Sequence, residues 1–137
     1  MLNFGLLGKG PKIPFNGGIF SNGGFEDGLT GWVQSGGWSA TPDEDTAQNV
    51  SSAAGAQLYQ NINGFEIGAT YEITADKLEG DAEVAYLVND ASSGVPIGTP
   101  YQWVAAGANL STGVEIDVAG TVPTVVDNLR LTFISGA

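Results

Sequence analysis

Residues 126–134, VDNLRLTFI, alternate between two chemistries: Leu129, Leu131 and Phe133 share one parity, while Asn128, Arg130 and Thr132 share the other. Successive side chains of an extended chain point to opposite faces, so a period of two predicts a strand with one buried side. A helix would instead space its apolar residues three and four apart, and that spacing is nearly absent here. The alternation returns in AQLYQNI (56–62), TYEITADKL (70–78), AEVAYLVND (82–90) and GVEIDVAG (113–120). The predicted inward sets are Tyr71, Ile73 and Ala75, then Val84, Tyr86 and Val88, then Val114, Ile116 and Val118.

Turn signals stand between these segments: Asn63-Gly64, Glu79-Gly80-Asp81 and the run NDASSGVPIGTP from 89 to 100. Short strands punctuated in this way predict an all-β chain. The expected architecture is an antiparallel two-sheet β-sandwich of the jelly-roll kind, with under about a tenth of its residues in helix. A chain of 137 residues has the size of one domain with one core. The stretch NGGFEDGLTGW (22–32) shows neither period, and its Asn and glycines predict a tight loop closing on a buried Trp32.

The formal charge of −11 comes from 15 acids against Lys9, Lys12, Lys77 and Arg130. Such a surface repels phosphate backbones, which argues against nucleic acid as a partner. With no Cys and no His, disulfides, Cys/His zinc sites and all imidazole or thiolate catalysis are excluded. The carboxylates of DEDT (43–46) and EGDAE (79–83) sit among turn residues and read as solvated loops rather than a glycosidase pair. GLLGKGPK (5–12) lacks the Lys-Ser/Thr ending of a phosphate loop. A non-enzymatic protein is expected.

No run approaches the roughly 18 to 20 apolar residues of a membrane span, so no membrane partner is expected. The N-terminal MLNFGLLGKGPKIPFNGG has too short an apolar part for a secretion signal and no A-x-A site, and is expected to be retained. Asn49-Val50-Ser51 and Asn109-Leu110-Ser111 then read as chance matches to the glycosylation pattern.

NGGFEDGLTGW near the start, LYQNINGFEIGATYEITADKL in the middle and VDNLRLTF at the end resemble the carbohydrate-binding-module jelly rolls of the CBM4/9 and CBM22 kind, within the broader galactose-binding-like sandwiches. The resemblance covers residues 20–135. It implies a sandwich domain over 20–137 and, where the first and last strands meet, a structural calcium to which Glu26 and Asp127 correspond. Two carboxylates with backbone carbonyls suit such a hard cation; pairing of Glu26 with Arg130, or turn bonds to Asp127, would use the same residues without metal. For sugar binding, which needs exposed aromatic faces beside hydrogen-bonding groups, the candidates are Trp38, Tyr59, Tyr101 and Trp103; for each of them a place in the core or in loop packing is the alternative, and no pair stands out as a platform. Tyr59 has Gln57 and Asn61 as polar partners on its parity.

Residues 1–19 lie outside the resemblance and form an extended N-terminal arm by expectation. Leu2, Phe4, Leu6, Leu7, Ile13 and Phe15 stud this Gly-Pro segment as candidate anchors for docking into another subunit, the alternative being that the arm folds back on its own sandwich. The arm leads to the first functional expectation: a structural assembly protein, most concretely a virion component such as a phage capsid decoration or fibre-associated protein, oligomeric or particle-bound. The alternative is a carbohydrate-binding module recognising a polysaccharide or cell-surface glycan, with an extracellular location.

Overall fold

Among the described residues the chain forms ten strands, and the longer of them carry the alternation. In the computed structural model, which describes residues 15–41 and 44–137, they are β1 (Val33–Ser35), β2 (Trp38–Ala40), β3 (Ala47–Asn49), β4 (Gln57–Asn63), β5 (Thr70–Glu79), β6 (Glu83–Val88), β7 (Ala91–Pro96), β8 (Tyr101–Val104), β9 (Asn109–Val118) and β10 (Thr124–Ser135). They form two five-stranded sheets in the orders β1-β4-β9-β6-β7 and β2-β3-β10-β5-β8, with every strand pairing antiparallel. Among the described residues there is no helix. The fold is an antiparallel β-sandwich of the jelly-roll kind, the chain passing repeatedly from one sheet to the other.

The inward faces meet in one core. Leu58, Tyr71, Ile73, Ala75, Val84, Tyr86, Val114, Ile116, Leu129 and Leu131 are all buried there, and Trp32 joins them. Two residues assigned inward by parity need correction: Phe133 is 52% exposed and Val118 is 50% exposed, whereas Val88, half-buried, packs against the core. In both cases the alternation runs past the covered part of the sandwich. Phe133 pairs with Tyr71 near the start of β5, and Val118 pairs with Glu83 at the start of β6. Phe133 keeps only an edge-on contact with Tyr71, centroid to centroid 5.6 Å.

The loop before β1 is built around Asn22. Its amide donates to the carbonyls of Gly28 (3.0 Å) and Thr30 (2.9 Å), and its Oδ1 accepts the Asp27 N–H at 3.1 Å. Asn22 sits at φ 54°, a left-handed conformation that Asn tolerates better than most residues. Trp32 donates its indole N–H to the Asn22 carbonyl at 2.9 Å and packs against Phe20 and Phe25 at 5.0 and 5.5 Å. Gln60, inward on β4, accepts the Ser21 N–H (3.2 Å) and donates to the Ser21 carbonyl (2.6 Å), pinning the loop to the sheet.

Residues 15–19 run beside β10. Gly18 forms a parallel bridge with Leu131, whose N–H donates to Gly17 (3.0 Å) and whose carbonyl accepts from Ile19 (2.7 Å). At Gly23, beside Leu129, a Cβ would collide with the Leu129 carbonyl, so the close approach of loop and strand requires glycine.

Candidate functional site

The four aromatics singled out in the sequence do not gather. Trp38 and Trp103 lie in the core, 3% and 7% exposed, and present no face to a ligand. Trp103 packs edge-on to Phe65 at 5.2 Å and stacks on Tyr71 at 5.6 Å. Tyr101 is half-buried on β8 with its ring parallel to Tyr86 at 6.1 Å. All three belong to the sheet β2-β3-β10-β5-β8, whereas Tyr59 belongs to the other.

Tyr59 points outward from β4, because its neighbours Leu58 and Gln60 are the buried parity. Across the sheet it belongs to the row Val33, Tyr59, Gly113 and Leu87, one residue each from β1, β4, β9 and β6. The next row is Ser35, Gln57, Glu115 and Ala85, and on the other side Asn61 pairs with Ser111. Gln57 donates its amide to Glu115 Oε2 at 3.4 Å. A Cβ at Gly113 would collide with the β4 backbone at Leu58 and Tyr59. Glycine therefore lets the strands close up, and it leaves no side chain between Tyr59 and Leu87. Among the described residues Tyr59 packs against no other ring.

The result is a half-exposed aromatic flanked by two amides, a hydroxyl and a carboxylate, which can meet a ligand that is apolar on one face and hydroxylated at its rim. Gly113, Glu115 and Val33 had not been singled out in the sequence, and Ser111 only as the end of a chance match to the glycosylation pattern. Gly113 and Glu115 are the outward complement of the predicted inward set Val114, Ile116 and Val118, so their parity was readable. Their position beside Tyr59 was not.

Of the pair implied to hold calcium, Glu26 belongs to the corner where residues 15–26 meet β10, and Asp127 lies on β10, paired with Asp76 of β5. Glu26 Oε2 accepts the Phe15 N–H at 3.3 Å, and its carboxylate lies over Gly24, where any Cβ would collide with it. Asp127 Oδ1 accepts the N–H of Asn128 at 2.8 Å. Asn128 in turn donates its amide to Asp76 at 3.1 Å, across the strand from Asp127. Among the described residues no three carboxylates group as a metal site. A calcium ion held by Glu26 and Asp127 would draw most of its about six to eight oxygens from backbone carbonyls. Of the candidate docking residues, Phe15 is half-buried at this corner; Leu2, Phe4, Leu6, Leu7 and Ile13 lie outside the described residues. No helix among the described residues is long and apolar enough to cross a membrane.

No protein-family model and no curated protein matches this chain. Among solved structures, it is similar to the CBM22-1 xylan-binding domain from Paenibacillus barcinonensis Xyn10C. The TM-score is 0.55 at 16% identity, over 91% of this chain and 100% of that one. The likeness is one of fold, and this chain has a carbohydrate-binding-module-like jelly roll.

Proposed function

We propose that the protein is a non-enzymatic carbohydrate-binding module whose ligand lies across the outward face of β1-β4-β9-β6-β7, with Tyr59 as its platform. The row of Val33, Tyr59, Gly113 and Leu87 carries this reading. A sugar ring presents C–H groups on one face and hydroxyls at its rim, and Tyr59 with Gln57, Asn61, Ser111 and Glu115 complements both. The fold likeness to a xylan-binding domain supports the same reading and favours it over virion assembly, whose anchors other than Phe15 lie outside the described residues. The glycan is neutral: Glu115 and Asp117 stand on this face, while of the described cations Arg130 belongs to the other sheet and Lys77, on β5, gives its ammonium to the Ala82 carbonyl. Calcium at Glu26 and Asp127 would be structural, tying the loop to β10.

Affinity electrophoresis through gels containing soluble xylan or another neutral β-linked polysaccharide tests the proposal. Wild-type protein should be retarded, and Tyr59→Ala should run freely while melting at the wild-type temperature. Equal retardation of the two proteins, or free migration of the wild type on every neutral polysaccharide, refutes it.

A further inference from the structure

Ala85 and Leu87 lie on the outward parity of β6, yet they are 4% and 0% exposed and stand apart from the main core. β7 accounts for this. It leaves β6 through the turn Asn89-Asp90, where both residues take left-handed φ, and slips register between Ala85 and Leu87. Ser92 then reaches past β6 to donate its hydroxyl to Asp117 Oδ2 on β9 at 2.6 Å. A flat edge strand could not make that bond, so β7 rises over the sheet as a wall beside the Tyr59 face.

Below the far end of this wall is a cleft of about 400 Å³, lined among others by Asp81, Glu83, Ala85, Pro96, Ile97 and Asp117. Its back is the crossing of the chain between sheets, where the Ile97 N–H donates to Val84 (2.9 Å) and the Gly98 N–H to Ala75 (2.8 Å). The cleft adjoins the face along β9: Asp117, which lines it, is two residues beyond Glu115, and both are outward and at least partly exposed. From Gly113, beside Tyr59, to Asp117 is about 13 Å at the rise of a strand. That is the length of a short oligosaccharide rather than of one ring.

We infer that this cleft is an end subsite, which takes the terminal residue of the neutral glycan whose interior crosses Tyr59; the inference rests on the carbohydrate-binding reading above. The volume lies in the range of small-ligand pockets. Ala85, Pro96 and Ile97 offer apolar contact to a ring, and the Glu83 and Asp117 carboxylates accept protons from its hydroxyls. Lys77, the cation at the cleft, donates its ammonium to the Ala82 carbonyl at 2.8 Å, so an acidic sugar would meet mainly carboxylates. The crossing behind Ile97 blocks a chain from running through, which makes the subsite one for ends.

Calorimetric titration with β-1,4-linked xylo-oligosaccharides from dimer to hexamer tests this on wild type, Tyr59→Ala and Glu83→Gln. Wild-type affinity should rise with length. Glu83→Gln should weaken hexamer binding about tenfold, as loss of a bond to a charged acceptor does. It should leave retention by long-chain xylan, poor in ends, unchanged. In NMR spectra of the wild type, hexamer should shift the amides of Ala85 and Ile97 as well as Tyr59. A hexamer that binds wild type and Glu83→Gln equally and leaves those two amides unmoved overturns the subsite while carbohydrate binding stands. Equal weakening on hexamer and long-chain xylan overturns the assignment to ends. A wild type that binds no oligosaccharide of the series and no xylan overturns both readings.

Discussion

Removing one oxygen atom, in Tyr86→Phe, should cost this fold about 1 to 3 kcal/mol. The Tyr86 side chain is fully buried and crosses the core from β6 to the opposite sheet. There its hydroxyl donates to the Thr99 carbonyl at 2.6 Å and accepts the Ala75 N–H at 3.2 Å. β8 pairs with β5 only from Thr70 to Ile73, so beyond that point the Tyr86 hydroxyl takes the place of a missing strand neighbour. Phenylalanine keeps the ring and its packing but leaves a buried N–H and a carbonyl without this partner, a loss worth roughly 1 to 3 kcal/mol. Urea denaturation followed by tryptophan fluorescence should show a lower midpoint at unchanged slope. Burial pushes the Tyr86 phenol above its ordinary 10.0, ahead of the opposing hydrogen bond from Ala75. A group whose folded pKa is raised contributes stability below its unfolded value that is lost as pH rises through the folded one. Wild type should therefore lose stability above about pH 10, and Tyr86→Phe should lose less there. A cost below about 0.5 kcal/mol, smaller than a typical net hydrogen bond, would refute the bridging role.

Leu131→Ala should cost about 2 to 5 kcal/mol, whereas Phe133→Ala, half exposed, should fall well short of the roughly 3 to 5 kcal/mol of a buried aromatic; equal losses in denaturant titrations would contradict the corrected core. Asp81 accepts from the Thr121 hydroxyl (2.6 Å) and N–H (2.7 Å), and these bonds hold its carboxyl below 3.8. Its contribution is present above the ordinary carboxylate pKa and lost as pH falls through the lowered value. Asp81→Asn should therefore flatten the acid limb of a pH-melting profile, and an unchanged limb would remove that contribution. If Glu26 and Asp127 hold calcium, chelator should lower the melting temperature of wild type but not of Asp127→Ala; a wild-type curve unmoved by chelator rules out a bound ion.

The strands legible in the sequence were those long enough to display a period. β4 and β5 bury alternate residues over most of their length, as β10 does around Leu129 and Leu131, so residues such as Ile73 and Leu131 could be placed from parity alone; β6 buries Val84 to Leu87 without a break, which parity did not foretell. β1, β2 and β3 have three residues each, too few for a period, and they are defined by partners distant in the chain. Trp38 lies on β2 and Trp103 on the four-residue β8, too short for parity to decide between the core and an exposed face. β7 was hidden inside the Gly-rich run from 89 to 100, where the Asn89-Asp90 hairpin leaves a strand containing Ser92 and Gly94. The candidate site illustrates the same limit. That Tyr59 opposes Leu58 in parity was legible; which of them faces the core is decided by the Ser21 backbone, which claims Gln60 for the inside. The register that sets Tyr59 beside Gly113 joins segments far apart in the chain, and no local propensity encodes it.

The segment from residue 15 lies parallel to β10, so tension applied at Phe15 and at the C-terminus draws the two in opposite directions along their common axis. The Leu131–Gly17 and Ile19–Leu131 backbone bonds then carry the load together in shear rather than opening one after another like a zipper. Under force applied to its two ends, a domain clamped in this way has a mechanical lifetime governed by the rate of breaking that joint rather than by equilibrium stability.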